Sequence, residues 1–338
     1  MKIACLLLFA GIASIAQAQQ LIEVASFGKN QPIGCKVSPS GRLFVGFPHH
    51  EPFLYALTEI KNGQRVPYPD AAYQSQFNNV QDLWTDEQNN LWVLDSAPGG
   101  GMIVGKFKLV QFELASNTVK RTYTFDDLDK TKSALNDVRV DHLHHLAYLS
   151  DPGLSAIVVL DLKSGKTRLA LQDDPTTKAD PAFKLYLDGE DVVDDKGNAF
   201  SSNVNGIALS TDNRYFYFRA INQTWLYRIK TTDLASGETA GKVEKVAETG
   251  VCHGMTADAK GNVFLSDSPD NAITYFSPDG KLHTLIKNPR ISWPDSMGVG
   301  PDGYLYFSAS QLNRLPKFHK GADKTDYPYR VYKVKLPW

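Results

Sequence analysis

Residues 136–151 read NDVRVDHLHHLAYLSD, an alternating strand, a polar turn and a second strand with an aromatic residue. Five further units elsewhere in the chain have the same pattern. They open at Ile33-Gly34, Gln81-Asp82, Asn205-Gly206, His253-Gly254 and Asp295-Ser296 and close at Phe47, Asp95, Arg219, Asp267 and Ala309. Each unit spans roughly 13 or 14 residues, and the openings recur roughly every 42 to 69 residues. A period of this size is typical of propeller blades or solenoid repeats.

Each unit has the pattern of a β-hairpin. Alternating runs such as Ile207-Ala208-Leu209 flank turns rich in Asp, Asn and Gly, which tolerate turn backbone conformations. A second hairpin often follows, as in residues 156–160 and 167–171. With almost no helical periodicity, the sequence predicts an all-β fold, a six-bladed β-propeller with four-stranded antiparallel blades. We expect residues 21–27 to pair beside residues 329–334 and close the ring.

The first 18 residues have the features of a signal peptide. Lys2 precedes an apolar stretch, and Ala16-Gln17-Ala18 supplies the small residues of a cleavage site. We therefore expect a secreted or periplasmic protein with residues 19–338 in a single propeller domain. The net charge of -1, from 36 basic and 37 acidic residues, argues against nucleic-acid and membrane partners. The expected partner is a small molecule, and the expected state is a monomer.

Two further features concern the mature chain. Cys35 and Cys252 lie beside the openings of units one and five, which are not adjacent. We expect them to be buried apolar side chains, with a disulfide as the less favoured alternative. Residues 172–203 have the composition of a long loop. This insertion is either a lid over the channel or a surface excursion.

The hairpin geometry places chemistry at one end of the channel. The start of the first strand lies beside the end of the second, so all six openings and closings should meet around one channel mouth. The predicted ring contains Asp82, Asp95, Asn136, Asp137, Asp151, Asn205, Arg219, His253, Asp267 and Asp295.

Within this ring we assign roles by residue type. The candidate ligand-binding residues are Asp82, Asn136, Asn205, Arg219, His253 and Asp295. The candidate catalytic residues are His253, Asp295 and Asp267. Asp95, Asp151 and Asp267 close three units at one position. For at least two of them we favour a structural role, in which the carboxylate accepts hydrogen bonds from backbone amides at the strand end.

Several stretches resemble the major royal jelly protein/Yellow family in its bacterial branch. They are residues 91–96, 136–141, 147–151, 206–210, 271–273 and 293–296. Their order and spacing carry the resemblance, which covers roughly residues 30 to 318. It implies a secreted six-bladed propeller with a small-molecule pocket in its channel. Insect members are associated with dopachrome conversion or with binding of biogenic amines.

A more distant resemblance is to gluconolactonase/senescence-marker propellers, which hold a divalent cation at the channel mouth. Asn136 and Asn205 match the two Asn positions of that pattern. Ile33 stands where the family has Glu, and His253 stands where it has Asp. Hard cations need those anionic ligands, so no cofactor is favoured. A divalent cation on Asn136, Asn205 and His253 remains the alternative.

Three function classes follow. The first is a binder of a small aromatic or amine-bearing molecule at the channel mouth, which in an enzymatic form would be a dopachrome-conversion-like isomerase. The second is a metal-dependent lactonase or esterase. The third is a non-catalytic interaction scaffold, since a propeller by itself dictates no chemistry.

Overall fold

The computed structural model describes residues 19–49, 51–96 and 106–338, so the predicted signal peptide lies outside the described residues. Blades 1 to 3 contain β2 (Cys35–Val37), β3 (Leu43–Gly46), β4 (Leu57–Lys61), β5 (Gln64–Pro67); β6 (Val80–Thr85), β7 (Asn90–Asp95), β8 (Lys108–Glu113), β9 (Thr118–Tyr123); and β10 (Val138–Asp141), β11 (Leu146–Asp151), β12 (Ala156–Asp161), β13 (Thr167–Ala170).

Blades 4 to 6 complete the set. They contain β16 (Val204–Leu209), β17 (Tyr215–Ala220), β18 (Trp225–Lys230), β19 (Glu244–Glu248); β20 (Met255–Ala257), β21 (Val263–Asp267), β22 (Ala272–Phe276), β23 (Leu282–Lys287); and β24 (Pro294–Val299), β25 (Tyr304–Ala309), β26 (Arg330–Lys335), β1 (Ile22–Ser26). The prediction of a six-bladed, four-stranded propeller is confirmed.

The innermost strands of the blades form a closed ring. Each of β2, β6, β10, β16, β20 and β24 contacts the next, and β24 contacts β2. Between neighbouring sheets lie apolar layers, such as the one that joins Tyr148 of blade 3 to Phe216 of blade 4. The alternation of the strands supplies these layers, because successive side chains point to opposite faces of a sheet.

The ring is closed by the two ends of the chain. β1 forms the outer strand of blade 6 and pairs antiparallel with β26, with Ala25 opposite Val331. The predicted pairing of residues 21–27 with 329–334 is therefore confirmed. Cys35 and Cys252 are buried and unpaired, as expected.

The insertion at residues 172–203 lies on the mouth side of blades 4 to 6. It contains a two-stranded hairpin, β14 (Tyr186–Leu187) and β15 (Glu190–Asp191), and packs an apolar cluster onto Trp293. Its edge contact is Phe200, whose ring centroid lies 5.4 Å from that of Trp293. Trp293 directly precedes β24, so the insertion covers one side of the predicted mouth.

Helices are few and short. The described helices are α1 (Thr231–Ser236) in blade 4 and 3-10 turns at Ala72–Gln76, Leu312–Arg314 and Pro316–Phe318. None of the helices among the described residues is long and apolar enough to cross a membrane.

Candidate functional site

The starts of the inner strands approach one another most closely in blades 4 to 6. A Cβ atom on Gly254 would lie 1.3 Å from the backbone oxygen of Asp295, and one on Gly206 would lie 2.5 Å from the backbone oxygen of His253. Only glycine allows this approach at the two openings. The two glycines thus fix the positions of His253 and Asp295 at the mouth.

An ion pair lies at the centre of the channel. Asp82 of blade 2 accepts a hydrogen bond from Arg139 of blade 3, with Oδ2 and Nη1 2.9 Å apart. The other guanidinium nitrogen, Nη2, donates to the backbone oxygen of Met255 in blade 5 at 2.9 Å. From blade 6, the Ser296 hydroxyl donates to the second Asp82 oxygen at 3.2 Å. Four blades are therefore joined through two side chains.

Lys36 brings blade 1 into this network. Its ammonium group donates to the Ser296 hydroxyl at 3.1 Å and to the backbone oxygen of Met297. Burial and the nearby Arg139 guanidinium together lower the pKa of Lys36 to about 8, against the opposing effect of Asp82. We call Lys36, Asp82, Arg139 and Ser296 the channel plug, since they fill the channel between its two ends.

Asp137 lies between the plug and the mouth. Its Oδ1 accepts a hydrogen bond from the Asn136 amide at 3.0 Å, and Asn136 in turn accepts one from Gln81 at 3.1 Å. Burial raises the pKa of Asp137 well above its ordinary value, and the carboxylates of Asp82 and Asp295 add to this rise. The charges of Arg139 and Lys36 lower the pKa of Asp137, but they do not cancel this rise.

Asp295 is the carboxylate at the blade 6 opening. Its Oδ2 accepts hydrogen bonds from the Trp293 indole at 3.1 Å and from the Ser310 hydroxyl at 3.5 Å. Removal from water raises the pKa of Asp295 to about 7, and the Asp82 carboxylate contributes to this shift. Asp295 is only partly buried, so it remains accessible from the channel.

His253 lies beneath the surface of the mouth. Its ring stacks on the Trp293 indole with centroids 3.8 Å apart, and its Nε2 lies 2.5 Å from the Ser268 hydroxyl. Burial lowers the pKa of His253 to about 3, with a further contribution from the Arg219 guanidinium. The imidazole is therefore neutral at physiological pH.

Two other predicted ring residues serve the fold. Asp95 accepts hydrogen bonds from the amides of Asn78 and Asn79 at 2.5 to 3.0 Å. Asp151 accepts them from Ala134 at 2.8 Å and Leu154 at 3.0 Å. The structural interpretation is confirmed for these two carboxylates.

Asp267 and Arg219 are placed apart from the carboxylates of the channel. Asp267 accepts a backbone hydrogen bond from Asp270, and burial raises its pKa. Arg219 is fully buried, and its guanidinium donates to Thr249 at 2.7 Å and to backbone oxygens of Ala220 and Gln223. Its hydrogen-bonding groups are held within blade 4 and its connection to blade 5, and its charge contributes to the lowered pKa of His253, so a role of Arg219 in ligand binding stays a prediction.

The remaining ligand-binding candidates differ in exposure. Asn205 is half-buried in the bulge of β16 and makes no side-chain hydrogen bond with described residues. Asn136 is buried within the Gln81 and Asp137 contacts. Asp82 belongs to the plug and is 2% exposed, so it lies below the mouth instead of lining it.

The sequence-based prediction missed Lys36, Arg139 and Ser296. Lys36 lies between Cys35 and Val37 on one inner strand, and Arg139 lies between Val138 and Val140 on another. That pattern, a charged residue inside an apolar strand, was the available signal. Ser296 directly follows an opening aspartate and carries no comparable signal.

The donor set does not suit a hard cation. Within the described ranges there is no group of three or more His, Cys, Asp or Glu side chains that could hold a metal ion. The three residues of the metal alternative are Asn136, Asn205 and His253. The amide oxygen of Asn136 accepts a hydrogen bond from Gln81, and Nε2 of His253 faces Ser268, which leaves Nδ1 as the one ring nitrogen of His253 without a partner among the described residues.

Three solved structures with the same fold are distant from this chain in sequence. Regucalcin from Agrobacterium tumefaciens, described as calcium-binding, superposes with a TM-score of 0.61 at 14% identity, covering 95% of this chain and 96% of that one. Virginiamycin B lyase from Staphylococcus aureus gives 0.55 at 14%, covering 94% and 99%. A gluconolactonase from Xanthomonas campestris gives 0.58 at 12%, covering 94% and 90%. These likenesses show the fold alone.

Sequence comparison identifies the family. No curated protein matches the chain. The family model described as major royal jelly protein matches residues 79–337, which includes five of the six blades and most of the mouth. The resemblance inferred from the repeats is thereby confirmed, and the chain belongs to the major royal jelly protein family.

Proposed function

We propose that this protein binds a small aromatic amine at the channel mouth, in contact with Asp295 and Asp137. The observation that carries the proposal is the excess of acidic groups: three carboxylates, Asp82, Asp137 and Asp295, influence one another, and two cations, Lys36 and Arg139, oppose them. Arg139 is paired with Asp82 at 2.9 Å and also lies 3.6 Å from Asp137, so one guanidinium group serves two carboxylates. The Asp295 carboxylate has no ion-pair partner among the described residues, and a ligand ammonium group would supply the missing charge.

The aromatic part of the ligand has a partner beside Asp295. Trp293 donates to Asp295 and carries Phe200 of the insertion on its edge. Phe200 is only partly buried, and so is Phe183 of the same segment. If the aromatic ring of the ligand packs against these side chains, the ammonium group of the ligand lies towards Asp295. Other ligand sites likewise combine apolar walls with a few polar groups.

Calorimetric titration with tryptamine tests the proposal. We expect binding to the wild type and at least tenfold weaker binding to Asp295→Asn, because a hydrogen bond to a charged group contributes about 1.5–3 kcal/mol. Asp212→Asn is the matched control, since Asp212 is an exposed aspartate paired with Arg214 far from the mouth. Equal affinity for wild type and Asp295→Asn would refute the proposal.

A second candidate function is proton transfer on the bound ligand, which would make the protein a dopachrome-conversion-like isomerase. The observation that favours it is the pKa of Asp295, which at about 7 suits a general acid or base at neutral pH. The test is tautomerisation of dopachrome by purified protein. The rate of the wild type should change with pH around the Asp295 pKa of about 7, and this pH dependence should be absent in Asp295→Asn. A rate that is unchanged in this variant excludes the assignment.

The lactonase alternative has a separate test. Hydrolysis of gluconolactone that is abolished by EDTA and restored by calcium would support it, and it would require ligands other than Asn136 and His253.

We propose export to the periplasm or beyond on the basis of residues 1–18, which fractionation of expressing cells would test.

A further inference from the structure

A cavity of about 510 Å³ lies at the end of the channel opposite the mouth. Residues near the far ends of all six inner strands line it: Val37, Thr85, Val140, Leu209, Ala257 and Val299. It is therefore the second opening of the channel, separated from Asp295 by the channel plug. We call it the lower cavity. Its size is within the range of small-ligand sites.

The lower cavity has an apolar wall and a polar floor. Val37, Val140, Leu209 and Val299 supply aliphatic surface, and the half-buried indole of Trp84 supplies aromatic surface. Lys36, whose ammonium group belongs to the plug, is the only basic residue that lines the cavity within the described part of the chain. Arg139 stacks over the Trp84 ring at 5.2 Å, which places a second cation behind the indole.

Two hydrogen-bond donors at this end have no protein acceptor. The indole N–H of Trp84 is buried and meets no partner among the described residues. The Lys36 ammonium group has three N–H donors, and two of them are used by Ser296 and Met297. A buried donor without an acceptor is costly, so an acceptor from a ligand would stabilise both groups.

Three acidic residues line the rim: Glu87 is exposed, whereas Asp86 and Asp258 are engaged by hydrogen bonds within the protein. Asp86 accepts hydrogen bonds from Asn90, Trp92 and His142 at 2.7 to 2.9 Å. Asp258 accepts them from Lys260 and Asn262 at 2.9 to 3.0 Å. The carboxylates of Asp86 and Asp258 therefore offer few free lone pairs to a cation in the cavity. Their negative charge still disfavours a ligand with more than one anionic group.

From this arrangement we propose that the lower cavity binds an aromatic monocarboxylate, with the carboxylate on the Trp84 N–H and the Lys36 ammonium group and the ring against the aliphatic wall. A carboxylate has two acceptor oxygens and one negative charge, which suits one neutral and one cationic donor. The site is independent of the amine site at the mouth, because the ligand charge is opposite and the plug lies between them.

Calorimetric titration with three indole compounds separates the two sites. Indole-3-acetate is an anion, indole-3-acetamide is its neutral counterpart and tryptamine is a cation. We expect wild-type protein to bind indole-3-acetate at least tenfold more tightly than indole-3-acetamide. Absence of indole-3-acetate binding at millimolar concentration, or equal affinity for the acetamide, overturns the proposal.

Three variants locate the binding. Trp84→Phe keeps an aromatic ring but removes the N–H, so indole-3-acetate affinity should fall about five- to tenfold. Ala257→Leu adds volume to the wall of the cavity and should abolish binding without altering a polar group. Asp295→Asn should leave indole-3-acetate affinity unchanged.

Circular dichroism checks that each variant is folded. If Trp84→Phe does not fold, the effect of Ala257→Leu on indole-3-acetate binding decides the test. Loss of indole-3-acetate binding in Asp295→Asn, with retention in Ala257→Leu, would assign the anion to the mouth and refute the proposal. Failure of tryptamine to bind refutes only the proposed function of the mouth.

Discussion

Asp82 and Arg139 form an ion pair in the middle of the channel, with 2% of each side chain exposed and 2.9 Å between Oδ2 and Nη1. The two residues come from neighbouring blades, yet their further hydrogen bonds reach Met255 in blade 5 and Ser296 in blade 6. The pair therefore joins parts of the ring that share no sheet. It also sets the floor of the mouth, above which Asp137 and Asp295 lie.

Asp82→Asn should destabilise the fold strongly. The substitution removes the nearer of the two carboxylates beside the buried Arg139 and leaves only Asp137, at 3.6 Å, and breaking a buried pair by removing one partner costs about 3–5 kcal/mol. Urea unfolding followed by circular dichroism measures the change. The exposed pair of Asp212 and Arg214 provides the control, since Asp212→Asn should cost less than about 1 kcal/mol. Equal stabilities of the two variants would contradict this assignment.

The pKa of Asp295 predicts a pH-dependent cost to stability. Its folded pKa of about 7 exceeds the ordinary 3.8, so the folded state binds the proton more tightly than the unfolded state. Stability is therefore lost progressively as the pH rises from about 3.8 to about 7. Asp295→Asn should gain stability relative to the wild type across this window, as measured by melting temperatures at a series of pH values. A constant difference between the two proteins would show that Asp295 titrates normally.

His253 predicts the opposite dependence. Burial lowers its folded pKa to about 3 from the ordinary 6.5, so its contribution to stability is fully present above pH 6.5 and decreases as the pH falls towards 3. His253→Phe keeps an aromatic ring against Trp293 but binds no proton. The variant should lose less stability than the wild type between pH 6.5 and 4. Nuclear magnetic resonance should show the His253 ring still neutral at pH 5, and a protonated ring there would contradict its burial.

The insertion is held to blade 6 by Asp188. This carboxylate accepts hydrogen bonds from Arg314 Nε at 2.9 Å and from the Asn313 amide at 3.0 Å. Asp188→Asn should cost about 1 kcal/mol locally and increase hydrogen exchange of residues 183–200 with little change in melting temperature. The control is Asp270→Asn, which removes an exposed pair with Lys287 on blade 5. Unchanged exchange in Asp188→Asn would mean that the apolar contacts with Trp293 alone hold the insertion.

Removal of divalent cations should not alter the protein. The described residues offer no cluster of anionic ligands, so EDTA should change neither the melting temperature nor tryptamine binding. Mass spectrometry of the native protein after mild dialysis should recover no stoichiometric calcium. One tightly held calcium per chain, with a loss of stability on chelation, would reverse this expectation.

The fold was predictable because its determinants are local. Turns rich in Gly, Asn and Asp and alternating apolar runs such as Val138-Arg139-Val140 specify hairpins over a few residues. Six copies of such a hairpin leave a closed ring as the arrangement that buries every sheet face. The pairing of β1 with β26 followed from the unpaired strand-like runs at both ends of the mature chain.

The site was only partly predictable from the same pattern. The repeat placed Asp137, His253 and Asp295 at one end of the channel, because each begins the inner strand of its own blade. It also predicted a structural role for at least two of Asp95, Asp151 and Asp267, since hydrogen bonds to amides at a strand end are local. Exposure could not be derived in this way: Asp82 and Arg219 belong to the ring by position, but both are buried under other chain segments.

By itself the sequence determined the strands, their grouping into six blades, the closure of the ring and the family. Tertiary structure alone decided the chemistry of the channel. Lys36, Asp82 and Arg139 are far apart in sequence, and their pairing depends on the angle and spacing at which six separate inner strands meet. The same holds for the pKa values of Asp295 and His253, because desolvation and neighbouring charges are properties of the assembled ring and not of any local segment.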